Sequence, residues 1–295
     1  MELTYVWAWL AVWLAWVWAA IWQWILAKKA MEVMWKTPSL STFFLTVTIL
    51  GIALVESVVI YWLVISFQLI DLKWIGLYSS ISAWLAIWLA AMWSWIWEWF
   101  LISWALQAMN RNPEIKWKIM AFMVLFVALV EVVSIYWLIV ALKITWTWIE
   151  SPSFLWAWIS IWVAWLWVAI WQWLLAWKSL ELMGQNPKLI SFFLTVSILG
   201  LALVESVVIY ALIVSFKILD LTSLSVLASV WAWAAIWFAW LWAWVWEWLL
   251  IKWALEAINI SPDTKWKSMA FMVLFVALVE VVAIYWLIVA FKILG

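Results

Sequence analysis

The stretch A-L-V-E-S-V-V-I-Y, residues 53–61, places one acidic side chain, Glu56, inside a long apolar segment that runs from about residue 41 to residue 70. A segment of this length exceeds the roughly 20 residues that a helix needs to cross a bilayer. A charged side chain at the centre of such a helix costs about 2.5–3.5 kcal/mol on insertion, and residues of this kind usually carry ions or protons. The stretch therefore predicts a membrane helix that holds a polar site.

The composition of the whole chain is that of a membrane protein. Hydrophobic residues make up 72% of it, charged residues 10%, and its mean hydropathy is +1.17, whereas soluble domains are about 45–50% apolar. We therefore predict an all-α membrane protein with eight transmembrane helices, arranged as four tandem helical hairpins. The eight apolar runs are 4–27, 41–70, 78–106, 118–145, 153–177, 189–219, 225–251 and 267–294.

The residue types that are missing narrow the chemistry. The chain has no cysteine and no histidine, which excludes disulfides and thiolate metal sites and removes the commonest metal ligand and general base. Zinc enzymes and serine or cysteine hydrolases are therefore poor candidates. We expect no cofactor, no bond chemistry and no nucleic-acid partner, and membrane lipid as the surroundings. The first apolar run is too long for a signal peptide, so we expect it to be retained.

Basic residues cluster at the connections that follow the first, third, fifth and seventh apolar runs. By the positive-inside rule these loops face the cytoplasm, which leaves both termini and the other three connections outside. The expected location is the inner membrane of a bacterial-type cell, crossed several times. The basic residues concerned are Lys28, Lys29, Lys36, Arg111, Lys116, Lys118, Lys178, Lys188, Lys252, Lys265 and Lys267.

The chain repeats itself four times. The loop prolines Pro38, Pro113, Pro187 and Pro262 are separated from the first by offsets of 75, 149 and 224, and the pattern A-L-V-E-x-V-x-I-Y recurs at the same offsets. A hairpin cannot bury its faces alone, so the repeats are expected to stack. The predicted repeats are 1–72, 73–147, 148–221 and 222–295.

Each repeat carries one glutamate in its second helix, about 15 residues from either end, and a tyrosine five residues later. Four copies at equal spacing favour one repeated function, the carriage of ions or protons. The alternative is a protonated glutamate that only joins helices. The pairs are Glu56 with Tyr61, Glu131 with Tyr136, Glu205 with Tyr210, and Glu280 with Tyr285.

The first helix of each repeat adds a second polar group at matching depth: Gln23, Glu98, Gln172 and Glu247. In repeats 1 and 3 a serine, Ser57 or Ser206, directly follows the second-helix glutamate, and carboxylate, amide and hydroxyl oxygens suit a hard cation such as sodium. This predicts sodium sites from Gln23, Glu56 and Ser57 and from Gln172, Glu205 and Ser206. In repeats 2 and 4 valines, Val132 and Val281, take the serine position, and two carboxyl groups share the site. One of these two groups is expected to keep a proton, with or without a metal ion.

The segments Q-W-I-L-A-K-K-A-M-E-V-M (23–34), N-R-N-P-E (110–114) and A-L-V-E-S-V-V-I-Y (53–61) resemble the c subunit of F-type ATP synthases, and the likeness covers essentially the whole chain. The resemblance implies a rotor ring of several copies that carries H⁺ or Na⁺ past an arginine on the a subunit of the stator. It also implies a central stalk held by the cytoplasmic loops. The carriers would be Glu56, Glu131, Glu205 and Glu280, hydrogen-bonded by the tyrosines, with backbone ligands from Leu54, Leu129, Leu203 and Leu278.

Two departures from this family pattern leave the transported ion open. Serine alternates with valine after the glutamate, and glutamine alternates with glutamate on the first helix. Because family sites are assembled between neighbouring hairpins, a site is able to combine Gln from one repeat with Val from the next, or Glu with Ser. Sodium and protons both remain candidates. A V-type pump proteolipid would differ only in its partner subunits.

Tryptophan occupies the places where the resembling family carries a glycine stripe. Trp7, Trp18 and Trp22 lie on one face of the first helix, and Trp9, Trp13, Trp16 and Trp24 on the nearly opposite face. Small residues on two faces allow a helix to pack closely between two similar helices. The bulky side chain of tryptophan prevents such close packing. Trp35 aligns with Gly184, and Trp62 with Ala211. We therefore hypothesise that most of the 40 tryptophans are glycines encoded by UGA. A redesigned chain that acts only as a membrane scaffold or passive pore is the alternative.

The coding DNA tests this hypothesis directly. We expect UGA at Trp7, Trp9, Trp13 and their equivalents, because UGA is read as glycine in some variant genetic codes, and GGN codons at the five remaining glycines. Sequencing the gene is the measurement. UGG at these tryptophan positions would end the hypothesis.

Overall fold

The computed structural model describes residues 2–72, 75–147, 150–221 and 225–295. Across these residues the protein has nine α-helices and four short 3-10 turns, with no strand, so the prediction of an all-α chain is confirmed for them. In a bilayer every backbone N–H and C=O must bond within its own segment, which long unbroken helices achieve. The helices are α1 (Glu2–Lys36), α2 (Ser41–Val55), α3 (Ser57–Asp71), α4 (Leu77–Arg111), α5 (Lys116–Trp146), α6 (Phe154–Gln185), α7 (Ile190–Asp220), α8 (Val226–Ile260) and α9 (Lys265–Leu294).

Helices α2 and α3 are interrupted only at Glu56. The Glu56 backbone N–H donates to the Ile52 carbonyl at 3.0 Å, and the Val59 N–H donates to the Glu56 carbonyl at 3.0 Å. Hydrogen bonding thus continues through the break, and the two helices together form one apolar span, Pro38–Asp71.

Five segments of the described chain are long and apolar enough to cross a membrane, against the eight predicted from the sequence. The other three predicted spans, in α4, α6 and α8, run over residues whose side chains lie outside the described part of the chain. The chain is therefore a multi-pass membrane protein by its apolar helices. The five spans are Tyr5–Lys36, Pro38–Asp71, Pro113–Trp146, Pro187–Asp220 and Pro262–Leu294.

Four tight turns join the helices into hairpins. Each is a 3-10 turn that begins with proline, and the residue before it is forced out of the helical region by the proline ring. These residues have nearly the same φ and ψ: −138° and 77° at Thr37, −131° and 78° at Asn112, −130° and 79° at Asn186, and −132° and 79° at Ser261. The sequence repeat is therefore also a repeat of local structure. The first residues of predicted repeats 2, 3 and 4, at 73, 148 and 222, lie outside the described residues.

The hairpins pack side by side in chain order, as two rows. The first helices form one row, in which α1 contacts α4, α4 contacts α6, and α6 contacts α8. The second helices form the other row, in which α3 contacts α5, α5 contacts α7, and α7 contacts α9. Each boundary between hairpins is consequently built from the same elements, and we call the boundaries the first, second and third interface.

Tryptophans fill the row of first helices on two faces. Ring centroids lie 5.6 Å apart for Trp22 and Trp99 at the first interface, and 4.6 Å apart for Trp97 and Trp173 at the second. The third interface repeats this contact between Trp171 and Trp248, at 5.1 Å. In each pair, one helix uses the face of Trp22 and the next helix uses the face of Trp24. The two-sided stripe predicted from the sequence thus contacts a neighbour on each side.

These tryptophans pack without satisfying their polar atoms. A buried indole N–H normally donates a hydrogen bond, and leaving one unpaired is unfavourable. Within the part of the chain that the structure describes, no acceptor is found for the buried N–H of Trp7, Trp22, Trp84, Trp99, Trp171, Trp173 and Trp248. Two glycines of the second helices, in contrast, lie at close approaches: an added Cβ at Gly51 would come within 3.0 Å of Ile102, and one at Gly200 within 2.8 Å of Ile251. The packing therefore suits small residues better than indoles.

Candidate functional site

The second helix of each hairpin holds its glutamate at mid-length. Glu131 is 15 residues from both ends of α5 (Lys116–Trp146), and Glu205 is 15 residues from both ends of α7 (Ile190–Asp220). At about 1.5 Å per residue, this places each carboxyl group roughly 22 Å along the helix from either end. The surrounding residues are apolar, so any partner of these carboxyl groups must come from the protein itself.

At the first interface, Glu131 is bonded by side chains of the preceding hairpin. The Tyr61 hydroxyl donates to Glu131 Oε1 at 3.0 Å, and the Ser57 hydroxyl contacts the same oxygen. Ser57 opens α3, and Tyr61 lies one turn later on the same face. The site therefore joins two hairpins.

The Ser57 hydroxyl meets two oxygens. It donates to the Leu54 carbonyl at 2.7 Å, and it also contacts Glu131 Oε1. A hydroxyl has one hydrogen, so the two oxygens compete for it unless the Glu131 carboxyl group is itself the donor to Ser57.

The third interface repeats this arrangement around Glu280. The Tyr210 hydroxyl donates to Glu280 Oε1 at 2.9 Å, and the Ser206 hydroxyl contacts the same oxygen. Ser206 also donates to the Leu203 carbonyl, at 2.8 Å. The serine, tyrosine and glutamate positions therefore form the same contacts at the third interface as at the first.

The second interface lacks the serine. The Tyr136 hydroxyl donates to Glu205 Oε1 at 3.2 Å, and Val132 takes the place of the hydroxyl residue. Glu205 is 9% exposed. Gln172 of α6 is buried, and no partner is found for either of its amide atoms among the described residues. At this interface Tyr136 bonds Glu205, and Gln172 lies on the first helix of the same hairpin.

Two further carboxyl groups lie inside the first and third interfaces. Glu98 and Glu247, on α4 and α8, are fully buried, and neither has a hydrogen-bond partner in the described part of the chain. Glu98 interacts electrostatically with Glu131, and Glu247 with Glu280. Each of these two interfaces therefore holds a buried carboxyl group in addition to the glutamate bonded by a tyrosine.

The two ends of the chain each carry half of a site. At one end Glu56 is exposed, and its carboxylate accepts a 2.7 Å hydrogen bond from the Gln23 amide of its own hairpin. At the other end Tyr285 is 63% exposed. Glu56 is therefore the one second-helix glutamate for which the structure describes a hydrogen bond to a side chain of its own repeat.

The structure groups the predicted ligands differently from the order of the chain. The sequence predicts Ser57 beside Glu56 and Ser206 beside Glu205, but the two hydroxyls contact Glu131 and Glu280 of the next hairpin. Successive residues point in different directions from a helix, so Ser57 faces the neighbour. The serines thus contact Glu131 and Glu280, and Val132 takes the equivalent position at the interface of Glu205, as the expectation of sites between hairpins allows.

Several polar contacts between helices were missed by the sequence analysis. The Ser66 hydroxyl donates to the Ala8 carbonyl at 3.1 Å, and Ser215, its equivalent, donates to the Ala157 carbonyl at 2.7 Å. In the loops, the Asn112 amide donates to the Gly184 carbonyl of the next hairpin. Ser66 and Ser215 are an internal match between repeats 1 and 3, which was the signal that could have identified them.

Comparison with known proteins agrees with this repeat of helices and sites. The profile of the family of ATP synthase C subunits matches residues 6–69, 81–144 and 155–218. The chain belongs to this ATP synthase family. The three matches fall in repeats 1, 2 and 3, and each contains the polar residue of the first helix and the glutamate of the second. A comparison with curated proteins gave no significant match.

The tyrosine contact can be tested by removing one hydroxyl. Tyr61→Phe should destabilise the single chain by about 1–3 kcal/mol, because a hydrogen bond to a partly buried carboxyl group is lost. Tyr285→Phe is the matched control and should have little effect, since Tyr285 is exposed. Chemical denaturation in detergent is the measurement. Equal stability of the two variants would contradict the role of Tyr61 at the interface.

Proposed function

We propose that the chain is a rotor subunit of a rotary ATP synthase or ATPase, whose mid-membrane glutamates each carry one H⁺ or Na⁺. The supporting observation is the set of carboxyl groups at mid-helix, bonded across hairpin interfaces by the tyrosines at 61, 136 and 210. A neutral, loaded carboxyl group can face lipid, whereas an ionised one needs an opposite charge beside it. In this family's rotor that charge would be the arginine on the a subunit of the stator. The rotor subunit itself makes and breaks no covalent bond.

The driving energy in this proposal is electrical. Moving one charge through 100 mV yields about 2.3 kcal/mol, so several ions must be summed for each ATP. The four carriers of one chain would be Glu56, Glu131, Glu205 and Glu280. All eight first and second helices would cross the membrane. The loops rich in lysine and arginine would face the cytoplasm and the central stalk, with both termini outside.

The exposed face of α9 supports assembly with further copies of the chain. Val282 is 47% exposed, although its equivalents Val58, Val133 and Val207 are fully buried at the three internal interfaces. Trp286 and Val289, on the same helical face, are 36% and 42% exposed. The equivalents of these two residues in the other repeats are also fully buried: Trp62, Trp137, Ala211, Ile65, Val140 and Val214. We infer that the first hairpin of a second copy covers this face and brings its Glu56 to Tyr285.

Assembly can be tested with a steric wedge on this face. Val282→Trp should shift the protein from multimers to single chains, because an indole does not fit where the equivalent valines are fully buried. Native mass spectrometry in detergent micelles measures the assembly state. The control is Ile284→Trp on the same helix: Ile284 and its equivalents Ile60, Ile135 and Ile209 are all exposed, so multimers should persist. Unchanged multimers with Val282→Trp would exclude α9 as the junction.

A passive membrane scaffold is the competing function. The observation in its favour is the set of indoles in the row of first helices, among them Trp22, Trp99 and Trp171, whose N–H groups have no acceptor among the described residues. A scaffold needs no loading of its glutamates, so ion-dependent reactivity of the carboxyl groups separates the two functions.

Labelling with a hydrophobic carbodiimide, which reacts with protonated carboxyl groups in lipid, tests the carrier function. We expect modification at Glu56, Glu131, Glu205 and Glu280, mapped by peptide mass spectrometry. Sodium should reduce the labelling several-fold if sodium is the cargo, and have no effect if protons are. Glu131→Gln should lose label from its own peptide only. A folded sample that takes no label at any of the four positions would favour the scaffold.

A further inference from the structure

A lysine lies at the same position in the last turn of three second helices. Lys143, Lys217 and Lys292 occupy this position in α5, α7 and α9, whereas α3 has Gln68 there. These turns are at the ends of the second helices that lie away from the proline turns. At about 1.5 Å per residue they are roughly 18 Å along the helix from the mid-helix glutamates. Their contacts are therefore separate from the candidate ion sites.

At the second interface, two side chains of the next hairpin hold this lysine. Lys143 Nζ lies 2.7 Å from Asp220 Oδ1 and 4.7 Å from the centre of the Phe216 ring. Phe216 and Asp220 are four residues apart on α7, so they lie on the same side of the helix. A carboxylate and an aromatic face both attract an ammonium group. We call such a pair, a phenylalanine followed four residues later by an aspartate, a lysine clamp.

The third interface keeps the ring but lacks the acid. Lys217 Nζ lies 6.0 Å from the centre of the Phe291 ring, and Gly295 takes the position of the aspartate. At both interfaces the lysine thus reaches toward the hairpin that follows it in the chain.

The first interface has none of the three residues. Gln68 takes the position of the lysine, Leu142 that of the ring, and Trp146 that of the acid. A lysine in a complete clamp is thus found at one of the three interfaces inside the chain, the second.

The two ends of the chain carry the separated parts of another clamp. Phe67 and Asp71 on α3 are the equivalents of Phe216 and Asp220, at an offset of 149. Phe67 is 55% exposed, whereas Phe216 is partly buried. Asp71 and Lys292 are both exposed, and neither forms an ion pair within the described part of the chain. The first hairpin therefore has a clamp without a lysine, and the last hairpin has a lysine without a clamp.

We propose that Phe67 and Asp71 of one copy of the chain clamp Lys292 of the copy before it. This proposal rests on the junction inferred under the proposed function, in which the first hairpin of a second copy covers α9. The junction would then repeat the contacts of the second interface. Two copies that met through α3 of both, or through α9 of both, would instead bring like charges together, which disfavours those arrangements. The clamp therefore specifies that copies join head to tail.

Charge reversal in the full-length protein tests this proposal. Lys292→Glu places two acidic groups at the junction, and Asp71→Lys places two lysines there. Each variant should weaken the association of chains about fivefold or more, because repulsion replaces attraction between exposed groups in close contact. Sedimentation velocity in detergent measures the association. The effect should shrink in about 1 M salt, where charges are screened beyond about 3 Å.

A mixture of the two variants should assemble better than either variant alone. When the two variants alternate in a multimer, every junction pairs one acidic group with one basic group. Native mass spectrometry should then detect multimers that contain equal numbers of both variants. The same reversal made twice in one chain, Asp71→Lys with Lys292→Glu, should also restore association. Restored assembly would show in addition that the single variants fold.

Lys217→Glu is the matched control. Lys217 occupies the same helix position, but it faces Phe291 at the third interface inside the chain. The association of separate chains should therefore be unchanged in this variant. A loss equal to that of Lys292→Glu would mean that any acidic group at this helix position disrupts assembly, and the clamp would be wrong.

The outcomes separate the clamp from the junction on which it rests. If both charge reversals leave association unchanged while Val282→Trp abolishes it, the junction stands and the clamp is wrong. If only one reversal has an effect, the affected group has another partner, such as an anionic lipid headgroup for Lys292, and the clamp is again wrong. If the mixture of variants does not restore association, direct pairing of Lys292 with Asp71 is excluded. If Val282→Trp has no effect either, the junction itself fails.

Discussion

A carboxyl group at the middle of an apolar helix has no water to solvate it, and this constraint shapes the rest of the protein. The partners of Glu131 and Glu280 come from the hairpin before them in the chain, through Ser57, Tyr61 and their equivalents. No hairpin is therefore complete alone. Packing in chain order, the four-fold repeat and the half-sites at the two ends all follow from this division of each site between neighbours.

The sequence predicted at what depth along the helices the sites lie, but not which residues form each site. Equal spacing of glutamate and tyrosine in four copies identified the mid-helix carboxyl groups and the hairpins, because a period is visible without knowing how helices pack. Which serine meets which glutamate depends on the rotation of one helix against the next. Adjacency in the chain suggested Ser57 beside Glu56, and the structure instead turns Ser57 toward Glu131.

The apolar runs located the helices, but they gave no sign of the polar contacts between them. The contacts of Ser66 and Ser215 with backbone carbonyls of the first helices lie in long apolar segments, where a single serine has no periodic signal within one repeat. Comparison between repeats would have been the way to find them.

The tryptophans and the glycines differ in how well they suit the contacts between helices. Gly51 and Gly200 lie where an added methyl group would press on an isoleucine, so the second helices keep small residues at close contacts. The first helices pack against each other through rings such as Trp22, Trp99 and Trp248, whose N–H groups have no acceptor among the described residues. Helices that pack through small side chains would explain the close contacts of the glycines. Indoles with unpaired N–H groups do not suit such packing.

Fusing the hairpins also sets the arithmetic of any closed ring. A ring of whole chains can gain or lose carriers only four at a time, whereas a ring of separate hairpins can change by one. The number of ions passed for each ATP made would therefore change only in large steps during evolution. Covalent linkage gives up that fine adjustment, and in return it fixes which neighbour each carboxyl group meets.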